Sequence, residues 1–175
     1  ISANTGLRRE KAPAASPPLP ARPRRVTIVT SRAGAGHDRA ADAAAEALRQ
    51  RFGDRVVITV VDAVKDYAPF PLRHLPELYA HWIRTAAATY GWGHRITDGP
   101  KRTALFLRAA WPLLWPYARR LLLDEPADAV LCVHSLENHF LAWARRRLGL
   151  RTAIVTLVTD PVSAHAVWLS PEVDL

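Results

Sequence analysis

The sequence predicts an α/β fold: a parallel sheet carrying helices on both faces. Three observations lead there. Short apolar, β-branched runs alternate along the chain with segments of helical apolar spacing. A loop of small residues joins the first of these runs to an alanine-rich helix. Polar residues gather just past the carboxyl ends of the strand-like runs, the edge at which open α/β sheets receive their ligands.

With 175 residues, the chain is long enough for one domain with a sizeable core. Apolar residues make up 49% and charged residues 23%, as in an ordinary globular protein. The net charge of +8 is concentrated at the start. Residues 1–25 hold six basic side chains against one acidic, and the remainder holds 18 against 15. A body so mildly basic does not call for nucleic acid, whereas a local basic face would suit an anionic membrane surface. Cys132 is the single cysteine, which excludes an internal disulfide framework and is compatible with a reducing compartment. There is no CxxC or histidine-rich spacing, so no metal site is expected. The chain has no methionine and begins at Ile1, so its natural start is expected upstream.

Residues 1–24 carry Pro13, Pro17, Pro18, Pro20 and Pro23 among alanine and arginine, without apolar periodicity. They are expected to be a disordered tail, with residues 25–175 forming the folded domain. Residues 26–30 are apolar and β-branched, the pattern of a buried strand. Beyond the loop, Ala40, Ala44, Ala47 and Leu48 recur at helical spacing, and Gly53-Asp54 stops the helix. Residues 55–61 form a second buried strand ending at Asp62, which completes a right-handed βαβ unit. Asp62 is expected to serve as a turn or cap residue.

Pro69, Pro71 and Pro76 break the chain before a helical stripe of Leu78, Trp82, Ile83 and Ala86 that ends near Tyr90 to Gly93. A further helical stretch covers residues 102–123, with Pro112 and Pro116 expected to kink or split it. Its Trp111 and Trp115 beside Arg119 and Arg120 suit a membrane interface, although the stretch is too short and charged to span a bilayer. Packing in an α/β core is the competing role for most of these aromatics, and a minority of the tryptophans is expected to be exposed. Residues 127–133 form a third strand leading into His134, and a helix follows from 138 to 148, stopped by Gly149. Residues 152–158 form a fourth strand, ending in Thr159-Asp160 and followed by His165 and Trp168. Residues 173–175 look like the entry of another strand, so the natural protein is expected to continue.

The loop Ser31 to Gly36 places free backbone N–H groups at the positive end of a helix, where a phosphate or oxyanion can sit. Its glycines let backbone approach a ligand closely. His37 follows at the helix start. Any tight strand–helix turn needs small residues too, and His37 could simply cap or pack, so the loop alone leaves both roles open. The wider pattern favours a site. His37, Asp62, His134, Asp160 and His165 all fall at strand carboxyl ends. One cleft could hold imidazoles suited to general-base work together with a carboxylate to orient them.

Three segments resemble the monogalactosyldiacylglycerol synthase and processive diacylglycerol glucosyltransferase family. They are Ser31-Arg32-Ala33-Gly34-Ala35-Gly36-His37 with its helix, then Asp128 through His134-Ser135-Leu136-Glu137-Asn138-His139, and then Val158-Thr159-Asp160 with His165, Trp168 and the residues to Leu175. The resemblance implies the amino-terminal, acceptor-binding half of a GT-B glycosyltransferase with a Rossmann-like sheet. It implies inverting transfer of a hexose from a nucleotide sugar, usually a UDP-hexose, to a lipid such as diacylglycerol, with no metal or other cofactor. His37 would be the general base. Ser31, Gly34, Ala35 and Gly36 would line the acceptor or diphosphate loop, and His134, Asp160, His165 and Trp168 the acceptor side. A lipid acceptor and an anionic membrane would be partners, with Trp111, Trp115, Arg119 and Arg120 facing the membrane, the chain cytoplasmic and peripheral, and the donor held mainly by a carboxyl-terminal domain outside this sequence. Ser135 stands where plant-like members tend to have proline. Two other functions compete. A dinucleotide-binding domain would need a third glycine where Arg39 stands, though Asp62 could meet a ribose. A non-catalytic lipid-surface or interaction module would use the 111–120 face alone.

Overall fold

A computed structural model describes residues 22–31, 35–159 and 165–175. The expected tail up to residue 21, Gly34 and Asp160 lie outside the described residues. The sheet contains β1 (Arg24–Thr30), β2 (Val56–Asp62), β3 (Ala129–Cys132) and β4 (Ala153–Thr156), in the order β2-β1-β3-β4. All pairings are parallel, with Ile28 opposite Val60 on one side and Leu131 on the other. The helices are α1 (Ala35–Phe52), α2 (Leu75–Thr85), α3 (Ala87–Thr97), α4 (Pro100–Asp124) and α5 (Ser135–Leu148).

Strand alternation divides the core into two layers. Ile28 and Val133 point to the α1 side, where Ala41 and Ala45 meet them one helical turn apart. Val29, Val130, Cys132 and Ile154 point to the other side, against Leu107, Leu121, Phe140 and Leu141 of α4 and α5. Helices therefore cover both faces, and β1 is buried between them, which is why it reads as a continuous apolar run. The result is a Rossmann-like sheet.

Asp128 ties the amino-terminal ends of the strands together. Its carboxylate accepts from the Arg25 backbone N–H at 2.8 Å and from the guanidiniums of Arg22 and Arg24. The Arg25 bond, opposed by desolvation and aided by Arg22, holds its pKa below the usual carboxylate value. Its own N–H donates to Arg25, and its carbonyl accepts from Ala153. Beyond β4 the structure shows no fifth strand at residues 173–175. Two backbone bonds, Asp174 N–H to Ile154 and Thr156 N–H to Leu175, instead lay this segment against β4, and the Asp174 side chain takes the Ile154 N–H.

The helical regions depart from expectation in two places. The stripe at residues 78–93 is two helices, separated at Ala86, whose φ is −143° and ψ 48°. Thr89 braces the break, donating to the Ala86 carbonyl and accepting from the Trp82 indole. Conversely, α4 continues through Pro112 and Pro116 without splitting. Both prolines lie on its exposed side, as does Arg108, and the carbonyls of Arg108 and Pro112 lose their N–H partners, while the packed side is formed by Thr103, Leu107, Tyr117, Ala118, Leu121 and Leu122. Trp111 stacks on Phe140 and meets Trp143 edge-on, which packs this part of α4 against α5. Trp82 and Trp92 are the exposed tryptophans, and the other four are buried or half-buried.

Gly149 ends α5 with φ at 66°, while its N–H and that of Leu150 take up terminal carbonyls. A Cβ there would meet nothing within 4 Å, so only the backbone conformation resists substitution. Gly149→Ala should cost about 1 kcal/mol, seen as a lower urea midpoint at unchanged slope. An unchanged midpoint would show that the left-handed cap contributes nothing.

Candidate active site

Parallel pairing brings the loops after β1, β3 and β4 to one edge. Thr30, the last residue of β1, donates its hydroxyl proton to Asp38 in the first turn of α1 at 3.2 Å. That bond fixes how the helix leaves the strand. Ser31 is buried, Gly36 is exposed, and Ala35 contributes backbone at the helix start. His37 follows, half-buried. Its Nδ1 lies 2.9 Å from the Val133 carbonyl, which can only accept, so Nδ1 carries the proton. The Thr159 hydroxyl is 3.0 Å from the same nitrogen and 3.5 Å from the same carbonyl. With Nδ1 protonated, Nε2 holds a lone pair, and no bond to it is formed among the described residues.

Around His37 lies a cleft of about 520 Å³, lined by Gly36, His37, Ala40, Leu157, Val158 and Thr159. The lining combines the His37 imidazole and the Thr159 hydroxyl with aliphatic side chains of Ala40, Leu157 and Val158. Leu157 and Val158 are exposed at its mouth. The ring of Trp168 is 6.3 Å from that of His37. Trp168 is held by α5, since Asn138 donates to its carbonyl at 3.1 Å and His139 Nε2 donates to that of Val167 at 2.9 Å.

His134 stands behind His37, ring centroids 5.0 Å apart and nearly perpendicular. Its Nδ1 donates to Glu137, one turn into α5 and almost fully buried. Burial opposes charge on His134, but the Glu137 charge and hydrogen bond outweigh it, with help from Asp62, and raise its pKa above the ordinary 6.5. His37 is shifted the other way. Burial and then the His134 charge lower its pKa, against the Val133 carbonyl, Glu137 and Asp38.

His37, His134 and Trp168 thus come together with Gly36. His165 is engaged elsewhere: its Nδ1 accepts from Val167 and its Nε2 meets the Thr97 hydroxyl at 3.2 Å, which ties the segment to α3. Trp111 and Trp115 are half-buried against one another, while Arg119 and Arg120 are exposed. Asp62 caps the turn after β2 by accepting from the Lys65 N–H at 2.9 Å. Glu137 and Thr159 were not singled out from sequence. The signal for Glu137 was its place three residues after His134 at a helix start, and for Thr159 its place just past a strand end. No group of three or more His, Cys, Asp or Glu among the described residues is arranged to hold a metal ion.

Several known proteins resemble this chain in sequence. The Arabidopsis thaliana protein named monogalactosyldiacylglycerol synthase 1, chloroplastic, is 30% identical over 153 residues, 84% of this chain and 28% of that protein. The Spinacia oleracea protein named monogalactosyldiacylglycerol synthase, chloroplastic, is 30% identical over 155 residues, 85% of this chain and 29% of its own length. A probable monogalactosyldiacylglycerol synthase 3 of Oryza sativa subsp. japonica is 30% identical over 158 residues, 87% of this chain and 30% of its own. The chain therefore spans less than a third of the length of these curated relatives. The family profile described as Monogalactosyldiacylglycerol (MGDG) synthase matches residues 37–175, beginning at His37 itself. By that match the chain belongs to the monogalactosyldiacylglycerol synthase family.

Proposed function

We propose that this chain is the acceptor half of a GT-B glycosyltransferase that moves a hexose from a nucleotide sugar, a UDP-hexose, to the hydroxyl of a lipid such as diacylglycerol. The observation that carries this reading is the tautomer of His37. Nδ1 donates a hydrogen bond to the Val133 carbonyl and keeps its proton, so Nε2 holds a lone pair in a site whose cleft is also lined by Leu157 and Val158. A base next to an apolar channel suits an alcohol at the end of an apolar molecule. Family membership supports the same chemistry, and relatives about three times as long leave room for a separate donor-binding domain.

In this mechanism His37 Nε2 takes the acceptor hydroxyl proton as the oxygen attacks the anomeric carbon. The bond from that carbon to the nucleoside diphosphate breaks, and a single displacement inverts the configuration. Ser31, Gly34, Ala35 and Gly36 lead into α1, whose amino-terminal dipole and N–H groups favour developing diphosphate charge. Trp168, His134, Asp160 and His165 shape or support the acceptor side. No cofactor is required by this scheme.

The acceptor lies in a membrane, and the protein meets it peripherally from the cytoplasm. No described helix is long and apolar enough to cross a bilayer. The exposed side of α4 carries Leu105, Pro112, Leu113, Pro116, Arg119 and Arg120, with parts of Trp111 and Trp115 at its edge. Apolar residues beside arginines suit an interface of acyl chains and anionic headgroups.

Two outcomes test this. In the complete enzyme, His37→Ala should lower kcat by about 10²–10⁴-fold with little change in melting temperature. The acid limb of kcat/KM in the wild type should lie below pH 6.5, because the base works unprotonated and its pKa is lowered. Near-normal turnover by His37→Ala would refute the base. Separately, Leu105→Ala/Leu113→Ala/Arg119→Ala should sediment less with phosphatidylglycerol vesicles than the wild type does. Equal sedimentation would remove α4 from the membrane face.

A further inference from the structure

Glu137 is a buried carboxylate that the mechanism above leaves without a task. Its side chain is 2% exposed, in the first turn of α5. A carboxylate in such a place is costly unless a cation meets it. Besides His37, three titratable groups face it. Tyr117, from α4, is fully buried, and burial together with Glu137 pushes its pKa well above 10. Cys132, at the end of β3, is pushed up for the same reasons. Both stay neutral. The third is His134, whose Nδ1 bonds to Glu137 directly. Among the described residues, no lysine or arginine pairs with Glu137. His134 is therefore the group that can supply the positive charge, and Asp62, at the end of β2, favours the same charge from the far side.

The His134 ring also meets the His37 ring, nearly perpendicular to it at 5.0 Å between centroids. On its remaining sides His37 faces Asp38 of its own helix, the Val133 carbonyl and the Thr159 hydroxyl. A carboxylate, an imidazolium and a neutral imidazole thus stand in series, from the interior outward to the cleft.

We propose that Glu137 is a positioning residue for the His37 base: it holds His134 as an imidazolium, and that cation keeps His37 unprotonated and ready to accept the substrate proton. This inference rests on the reading of His37 as the base. Its consequence is a base that stays available at neutral pH and sheds a captured proton readily, because a second imidazolium beside the first is disfavoured. Glu137 belongs to the inner end of the series and touches neither substrate nor donor.

The test follows the two imidazoles one at a time. The full chain, labelled with ¹⁵N-histidine, is titrated by long-range ¹H–¹⁵N spectroscopy as wild type, Glu137→Gln, Glu137→Asp and His134→Gln. In the wild type, His134 should titrate above pH 6.5 and His37 below it. Glu137→Gln should bring the His134 midpoint down and the His37 midpoint up, and Glu137→Asp should restore both in part. His134→Gln, which deletes the cation but leaves the carboxylate, should raise the His37 midpoint further than Glu137→Gln does. An unmoved His134 midpoint in Glu137→Gln, or an unmoved His37 midpoint in His134→Gln, overturns the proposal. If Glu137→Gln does not fold, His134→Gln decides the matter alone. In the complete enzyme, the acid limb of kcat/KM should move up with the His37 midpoint. If the midpoints shift as stated but His37→Ala keeps its turnover, the charge series stands and the base assignment falls; if His37→Ala is inactive but the midpoints stay fixed, the reverse holds.

Discussion

The parallel pairing of β1 with β3 is the constraint on which the site depends. Val29 lies opposite Cys132, and the Val133 N–H closes the ladder on the Val29 carbonyl. The two chains then leave the sheet side by side. One turns into α1 with His37 in its first turn, and the other turns into α5 with His134 just ahead of it. A parallel sheet has all its carboxyl ends on one edge, so groups distant in sequence meet without any long loop to carry them. Asp128 acts at the opposite end of the same pairing, where it anchors the start of β1 to β3 and β4. The site is positioned by rigid elements, and the loops supply only short final steps.

Their partners give the two histidines opposite characters. They share one edge of the sheet and sit within contact distance, yet one is bonded to a buried carboxylate and the other to a main-chain carbonyl. A carboxylate stabilises the charged ring, and a neutral carbonyl fixes a tautomer without adding a full charge. Partners, more than exposure, decide which ring is cationic. The aromatic packing of Trp111, Phe140 and Trp143 lies behind this pair and keeps α5, and with it Glu137, in register against α4.

Much of this was legible in the sequence, for a definite physical reason. Strands inside a parallel sheet are apolar on both faces, so the runs at residues 26–30, 55–61, 127–133 and 152–158 announced themselves as strands, and their polar ends marked one edge of the sheet. The second run read as buried, whereas β2 is an edge strand with Val57 and Val60 exposed. His37 stood out because it follows a glycine pair at a strand–helix turn. Glu137 did not, because an acid in a first helical turn usually serves the helix dipole, and nothing in one dimension shows that it is buried. The contact of His165 with Thr97 of α3 was equally hidden, because no local pattern connects that helix with the end of the chain. At the prolines of α4, expected to kink or split the helix, the structure shows no split. Proline disrupts an isolated helix, whereas here tertiary packing on the opposite side keeps the helix continuous.

The atom that fixes the tautomer of His37 is the carbonyl oxygen of Val133, and it belongs to the main chain. Every amino acid at position 133 would supply it. Substitution can change the packing of that residue, which is fully buried, but cannot delete the acceptor. The orientation of the imidazole is therefore inherited with the path of the backbone. A lineage can drift through most of its side chains and keep the proton on the same nitrogen for as long as the strand keeps its place.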